Sequence, residues 1–261
     1  MIDATRETAA PCLRLEHVSR HFGGLRAIDD VTLSVQGGAR HALIGPNGAG
    51  KTTLFNVISG ELAPTSGTIA LNGAYITKLP PHRRAALGIS RTFQITRLFP
   101  DLTVTENALL ACAALDARKF AAYRPLSSYR AFTEHAAHLL EQFGLTGVSD
   151  ERARHISYGA QRRLDVALAM AGRPRLLLLD EPMAGLSTPE RTAMRGLLEE
   201  LEPSIAVLLI EHDMDVAFSF ATRVTVLHQG KILADGTRNE VSTNDLVQQA
   251  YLGVVERRRQ P

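Results

Sequence analysis

Apolar and polar residues partly alternate over LRLEHVSRHF (13–22) and AIDDVTLSVQ (27–36), with the turn residues Gly23 and Gly24 between them. A period of two sends successive side chains to opposite faces, so each run predicts a short strand. GGARHALIG (37–45) reads as a turn, an apolar strand and a glycine, and TSGTIALNG (65–73) as another strand bounded by glycines. Between them TTLFNVISG (52–60) has helical spacing and closes on Gly60. The pattern changes from about Leu102 to Leu145, where Ala and Leu dominate and β-branched residues are few. Thr103 and Glu106 have the spacing of a capping box at a helix start. SYRAFTEHAAHLLEQFG (128–144) is helical and ends on Gly144. This block predicts a helical insert in an α/β protein. RLLLLD (175–180) and IAVLLIE (205–211) are continuous apolar runs, the pattern of buried parallel strands, with a helix predicted between them over 189–201. VTVLHQGKILADG (224–236) predicts a hairpin around Gln229-Gly230, and the basic end VERRRQP a solvated tail.

Length and composition narrow the classes. At 261 residues the chain can fold unaided as one or two domains. Lys and Arg nearly balance Asp and Glu, leaving a formal charge of +2, which argues against a nucleic-acid binder built on a basic field. Cys12 and Cys112 are far apart without metal-ligand spacing, which fits a reducing compartment. The first residues carry no apolar segment of a signal peptide, and no run reaches the ~18 apolar residues of a membrane span. Action at a membrane is therefore expected through a partner.

The sharpest chemistry lies in HALIGPNGAGKTTLF. Gly45 and Gly50 bracket four residues before Lys51 and Thr52, with a strand before and a helix after, the context a phosphate loop requires. Glycines let the backbone curl until several N–H groups face one point, where phosphate oxygens bind. Lys51 is expected to set its charge on the β- and γ-phosphates and Thr52 its hydroxyl on Mg²⁺. Asn47, Gly48 and Thr53 complete the candidate ATP-binding set. Asp180 ends a second apolar strand and is a candidate Mg²⁺ ligand; Glu181 follows and is a candidate to polarise the attacking water. A helix-entry acidic pair is the competing reading. His212 follows a third apolar strand and can bond a γ-phosphate or the attacking water.

In this order the motifs resemble the ATP-binding subunit of ABC transporters over about Leu13 to Gly253. The resemblance implies an α/β P-loop NTPase: a RecA-like core with an antiparallel β subdomain (13–95 and 161–253), a helical subdomain over about 96–160, and a tail from 254. It implies ATP and Mg²⁺ as cofactors and action as a dimer. Phe22, in HFGG, matches an aromatic that stacks on adenine, although a core role competes; Gln94, in RTFQ, matches a glutamine that reaches Mg²⁺. AGLS (184–187) has Ser187 where the family usually has aspartate; Ser187 and Glu190 also fit a capping box.

HISYGAQRRL (155–164) resembles the family's L-S-G-G-Q signature, which meets ATP held mainly by the other subunit. Counting back 24 residues from Asp180, the family's spacing, places Ile156 at the motif leucine. Ser157 and Gly159 are then kept as candidates acting in trans, Tyr158 and Ala160 replace the usual residues, and Gln161 is not the motif glutamine. Tyr158 needs more room than glycine and tolerates positive φ less well, so an altered loop is expected. Ser157 can also serve as a plain N-cap.

FGGLRAIDDV, RTFQITRLFPDLTVTENAL, the Tyr-containing signature and AYLG (250–253) together resemble ATPases of branched-chain amino-acid uptake. The partners implied are ATP, a second ATP-binding subunit, permease subunits at the cytoplasmic face of the membrane and, indirectly, a solute-binding protein. Import of urea, amides or aromatic acids, lipopolysaccharide export, and a soluble ABC ATPase remain the alternatives.

Overall fold

The computed structural model describes residues 11–92, 98–116 and 125–257, of which 252–257 are described as backbone alone. In chain order the strands and α-helices are β1 (Leu13–Phe22), β2 (Leu25–Val35), β3 (Arg40–Ile44), α1 (Lys51–Ser59), β4 (Ser66–Leu71), β5 (Ala74–Tyr75), α2 (Pro81–Ala86) and β6 (Ile89–Arg91). There follow α3 (Val104–Ala113), α4 (Arg130–Gln142), α5 (Tyr158–Met170), β7 (Leu176–Asp180), α6 (Thr188–Glu199) and β8 (Ala206–Ile210). The chain closes with α7 (Met214–Phe220), β9 (Arg223–His228), β10 (Lys231–Gly236), α8 (Arg238–Ser242) and α9 (Asp245–Arg257). It divides into two compact units, one of residues 1–84 and 203–261, the other of 85–202.

In the first unit, β2-β1-β4-β5 form the expected antiparallel sheet. Leu13 and Leu15 on β1 and Val31, Leu33 and Val35 on β2 are buried at the predicted spacing of two, and Val18 joins them after a shift of register beyond Leu15. The same unit carries the strand order β10-β9-β3-β8, with β3 parallel to both β8 and β9. All five residues of β8 are buried, as a parallel strand covered on both faces requires. The hairpin β9–β10 turns at Gln229 (φ 49°) and Gly230 (φ 80°), two left-handed residues that match the twist of the strands.

Arg84 secures the back of this unit. It is 1 % exposed, and its guanidinium donates to the carbonyls of Val57 (2.7 Å), Ile58 (2.8 Å), Leu79 (2.9 Å) and Thr77 (2.9 Å). Val57 and Ile58 lie in the last turn of α1, where carbonyls lack helical partners and the helix dipole favours a cation.

In the second unit β6 and β7 pair in parallel, and α3, α4 and α5 supply the helical part. The capping box expected at α3 is present: Glu106 N–H donates to Thr103 Oγ1 (3.1 Å), and Thr103 N–H to Glu106 Oε2 (2.8 Å). Phe132, Ala136, Leu139 and Leu140 form the buried stripe of α4, at the spacing of one helix face. At the chain's end α9 continues as helix to Arg257, past the point where a frayed tail is expected from the sequence.

Candidate functional site

The first unit builds a loop between β3 and α1. Gly45 (φ 152°) and Gly50 (φ 106°) cannot be replaced without collision: a Cβ at Gly45 would strike the Leu227 carbonyl oxygen, and one at Gly50 the Ala27 carbonyl oxygen. The close approach of β9 and β2 thus holds the loop's two ends. Gly230 N–H donates to Ala49 O at 2.9 Å and fixes the loop from the hairpin side. The tip, with Asn47 and Gly48, is exposed. Lys51 opens α1 and is only 7 % exposed; its Nζ donates to the Gly45 (2.5 Å) and Pro46 (3.1 Å) carbonyls. The ammonium is therefore held across the loop, over the backbone that curls around it. Thr52, in the first turn of α1, is exposed, and Thr53 beside it is half-buried.

His212 belongs to the same unit. Because β3 and β8 run parallel, the loop after Ile44 and the residues after Ile210 leave the sheet at one edge. Glu211 is buried and His212 exposed, with Nδ1 at 4.0 Å from Glu211 Oε2. Phe22 ends β1. Its ring is 43 % exposed rather than packed in the core, and the Arg20 guanidinium lies 4.6 Å from its centroid. Tyr251 is a neighbour of the loop; its stretch, AYLG, stood out in the sequence only as part of the family resemblance and not as part of the site. Its buried phenol is pushed up to about 12 and faces the Gly45 backbone, which draws it partly back without full hydrogen-bond geometry.

The second unit carries Asp180 and Glu181. Asp180 ends β7 and is 3 % exposed. Arg91 Nη2 donates to its carboxylate at 3.1 Å, and the Asp180 N–H donates to Thr92 Oγ1 at 3.2 Å. Both partners come from β6 and the residue after it, and they directly precede Phe93-Gln94 in the chain. RTFQ pointed at Gln94 alone; Arg91 and Thr92 were the missed half of that stretch, legible only as a cation and a hydroxyl next to a candidate ligand. Gln94 itself lies outside the described residues. Glu181 has φ 49°, a left-handed conformation that costs a non-glycine residue about 1 kcal/mol. Strain of this kind persists where the surroundings impose it, and it concentrates at functional positions.

Ser157 caps α5: its hydroxyl accepts from Ala160 N–H at 3.2 Å, and the residue is exposed. Gly159 and Ala160 are buried behind it. Tyr158 takes the first helical position and is not among the residues with positive φ. The ring turns outward and is 46 % exposed. The Gln161 amide donates to the carbonyls of Ala153 (3.0 Å) and Ile156 (3.3 Å) and acts as a brace for the loop. Ser187 donates both its N–H (2.9 Å) and its hydroxyl (2.6 Å) to Glu190 Oε2, the cap anticipated from the spacing. These two bonds are the main reason the Glu190 carboxyl is held below its usual range.

Among the described residues no group of three or more His, Cys, Asp or Glu could hold a metal ion by itself. Each unit by itself offers a hard oxygen donor of the kind Mg²⁺ takes, the Thr52 hydroxyl in the first and the Asp180 carboxylate in the second. No described helix is long and apolar enough to cross a membrane.

Comparison with known proteins gives a consistent picture. The family model described as ABC transporter matches residues 28–184. The high-affinity branched-chain amino acid transport ATP-binding protein BraF of Pseudomonas aeruginosa is 43% identical over 254 residues, covering 93% of this chain and 98% of its own. LivG of Escherichia coli, of the same description, is 40% identical over 250 residues, covering 93% and 98%. The lipopolysaccharide export ATP-binding protein LptB of Haemophilus influenzae is 32% identical over 242 residues, covering 92% and 97%. Among solved structures, the ADP conformation of an ATP-binding cassette of an ABC transporter superposes with a TM-score of 0.82 at 28% identity, covering 93% of this chain and 99% of that one.

Proposed function

The chain belongs to the ABC transporter family as an ATP-binding, ATP-hydrolysing cassette, and we propose that it drives an importer of branched-chain amino acids. The observation that carries the importer reading is its end-to-end similarity to BraF and LivG, closer than that to LptB. ATP binds with its phosphates on the 45–50 loop, where backbone N–H groups and the Lys51 ammonium supply positive charge. Asn47, Gly48 and Thr53 complete that cradle, and Phe22 stacks on the adenine. Thr52, Gln94 and Asp180 would hold Mg²⁺, which when bound offsets phosphate charge. Glu181 accepts a proton from the attacking water and His212 orients the water or the γ-phosphate. In a dimer with a second ATP-binding subunit, Ser157 and Gly159 of this chain meet the γ-phosphate held by the other subunit.

Residues 13–95 and 161–253 act as the core, and about 96–160 as the helical part that moves on closure. Closure drives permease subunits at the cytoplasmic face, through which the chain attaches to the membrane. The energy is delivered by the difference in affinity of the closed and open states for nucleotide. The test is reconstitution of the chain with its permease and solute-binding protein in vesicles. Leucine, isoleucine and valine are expected to enter only with internal ATP. Uptake of urea, amides or aromatic acids in their place, or outward movement of lipid, would overturn the cargo assignment.

A further inference from the structure

The Tyr158 side chain reaches the 184–190 segment and the Glu190 side chain reaches back over Gly159, and neither contact follows from a nucleotide-binding role. The Tyr158 hydroxyl donates to the Ala184 carbonyl at 3.3 Å and accepts from Arg162 Nε at 2.9 Å. The Arg162 guanidinium also lies 5.3 Å from the ring centroid. A bond from a cationic donor polarises the hydroxyl and strengthens the bond it donates onward. The ring itself lies against Gly185, where an added Cβ would stand 3.0 Å from a ring carbon. Beside it, the Glu190 carboxylate covers Gly159 so closely that a Cβ there would collide with Oε1. Glu190 is in turn fixed by the two bonds from Ser187. The start of α5 and the loop after Glu181 are thus gripped at two points, Tyr158 on Gly185 and Glu190 on Gly159.

Core burial does not account for Tyr158. Nearly half of it faces solvent, and a purely apolar contact would need no hydroxyl. We propose that Tyr158 is a positioning residue, which ties the Ser157 loop to residues 184–187 so that the two move together when nucleotide is met across the dimer. This rests on the reading of Ser157 as a contact made in trans. Gly159 and Gly185 are required by the same grip: one makes room for a carboxylate and the other for a ring. The effect is on hydrolysis in the closed state, because each subunit's own phosphate loop binds ATP without this tie.

Steady-state hydrolysis by the full chain tests the idea with Tyr158→Phe, which keeps the ring and removes the hydroxyl. The expected result is a fall in kcat of about tenfold with KM changed less than about twofold, at an unchanged denaturation midpoint. Ser157→Arg is expected to abolish most turnover alone, and Tyr158→Phe to add nothing on that background. If Ser157→Arg stops turnover while Tyr158→Phe runs at the wild-type kcat, the positioning role is wrong and the reading of Ser157 stands. If Ser157→Arg leaves turnover intact, the trans reading itself fails. A drop in denaturation midpoint at unchanged kcat would make Tyr158 a packing residue and overturn the proposal.

Discussion

Arg91 and Asp180 form an ion pair at 3.1 Å with side-chain exposures of 7 % and 3 %. A carboxylate this deep, taken from water without a counter-charge, would be strongly disfavoured. The pair joins neighbouring parallel strands, so it also sets where Asp180 stands at the end of β7. Arg91→Met leaves a buried carboxylate without this counter-charge and is expected to cost about 3 kcal/mol in urea unfolding. Arg91→Met combined with Asp180→Asn removes both charges and is expected to recover most of that loss, though no hydrolysis. A double variant as unstable as the single one would show that the pair is not the source of the effect.

Arg84 offers a separate test of how the phosphate-loop helix is anchored. Its four carbonyl partners need donors spread in a fork, which a lysine ammonium cannot supply. Arg84→Lys is therefore expected to lose at least about 2 kcal/mol of stability, close to the loss in Arg84→Ala. Equilibrium denaturation checks this, and near-complete rescue by lysine would contradict it.

The fold also carries a pH dependence at His41. The imidazole is fully buried; its Nε2–H donates to Thr225 Oγ1 at 2.7 Å, and Thr225 donates to Asp235 at 2.8 Å. Burial lowers its pKa from 6.5 to about 4, against the attraction of Asp235 and with the repulsion of Arg223. The neutral form is favoured in the fold, so the unfolded chain binds the proton first. This contribution is complete above pH 6.5 and is lost as the pH falls from there toward about 4. The integrated loss is roughly 3 kcal/mol. Denaturation midpoints between those pH values are expected to fall with acid in the wild type and to fall less in His41→Gln.

Much of this architecture could be read from the chain because its signals are local. Gly45 to Thr52 sit within one turn of chain, and the same eight residues make both the loop and its chemistry. The apolar runs ending at Asp180 and before His212 announce buried strands without outside help. What stayed hidden depends on partners far away in sequence. Arg91 meets Asp180 across 89 residues and Tyr158 meets Ala184 across 26. No periodicity marks either pair. The short elements β5, β6 and α2, of two, three and six residues, have too little pattern to stand out and owe their form to their neighbours. Tyr158 shows the limit in the other direction: steric reasoning about tyrosine in place of glycine left the form of the loop open, whereas the structure gives that position no positive φ and sets the ring against Gly185.

The most direct measurement of the central claim uses Glu181→Gln, which removes the candidate base and keeps the size of the side chain. Hydrolysis and subunit association are followed together, the latter by light scattering with and without Mg-ATP. The account predicts turnover reduced at least about a hundredfold, with ATP retained in a stable dimer. Wild-type turnover, or a protein that stays monomeric and releases its ATP, would contradict it.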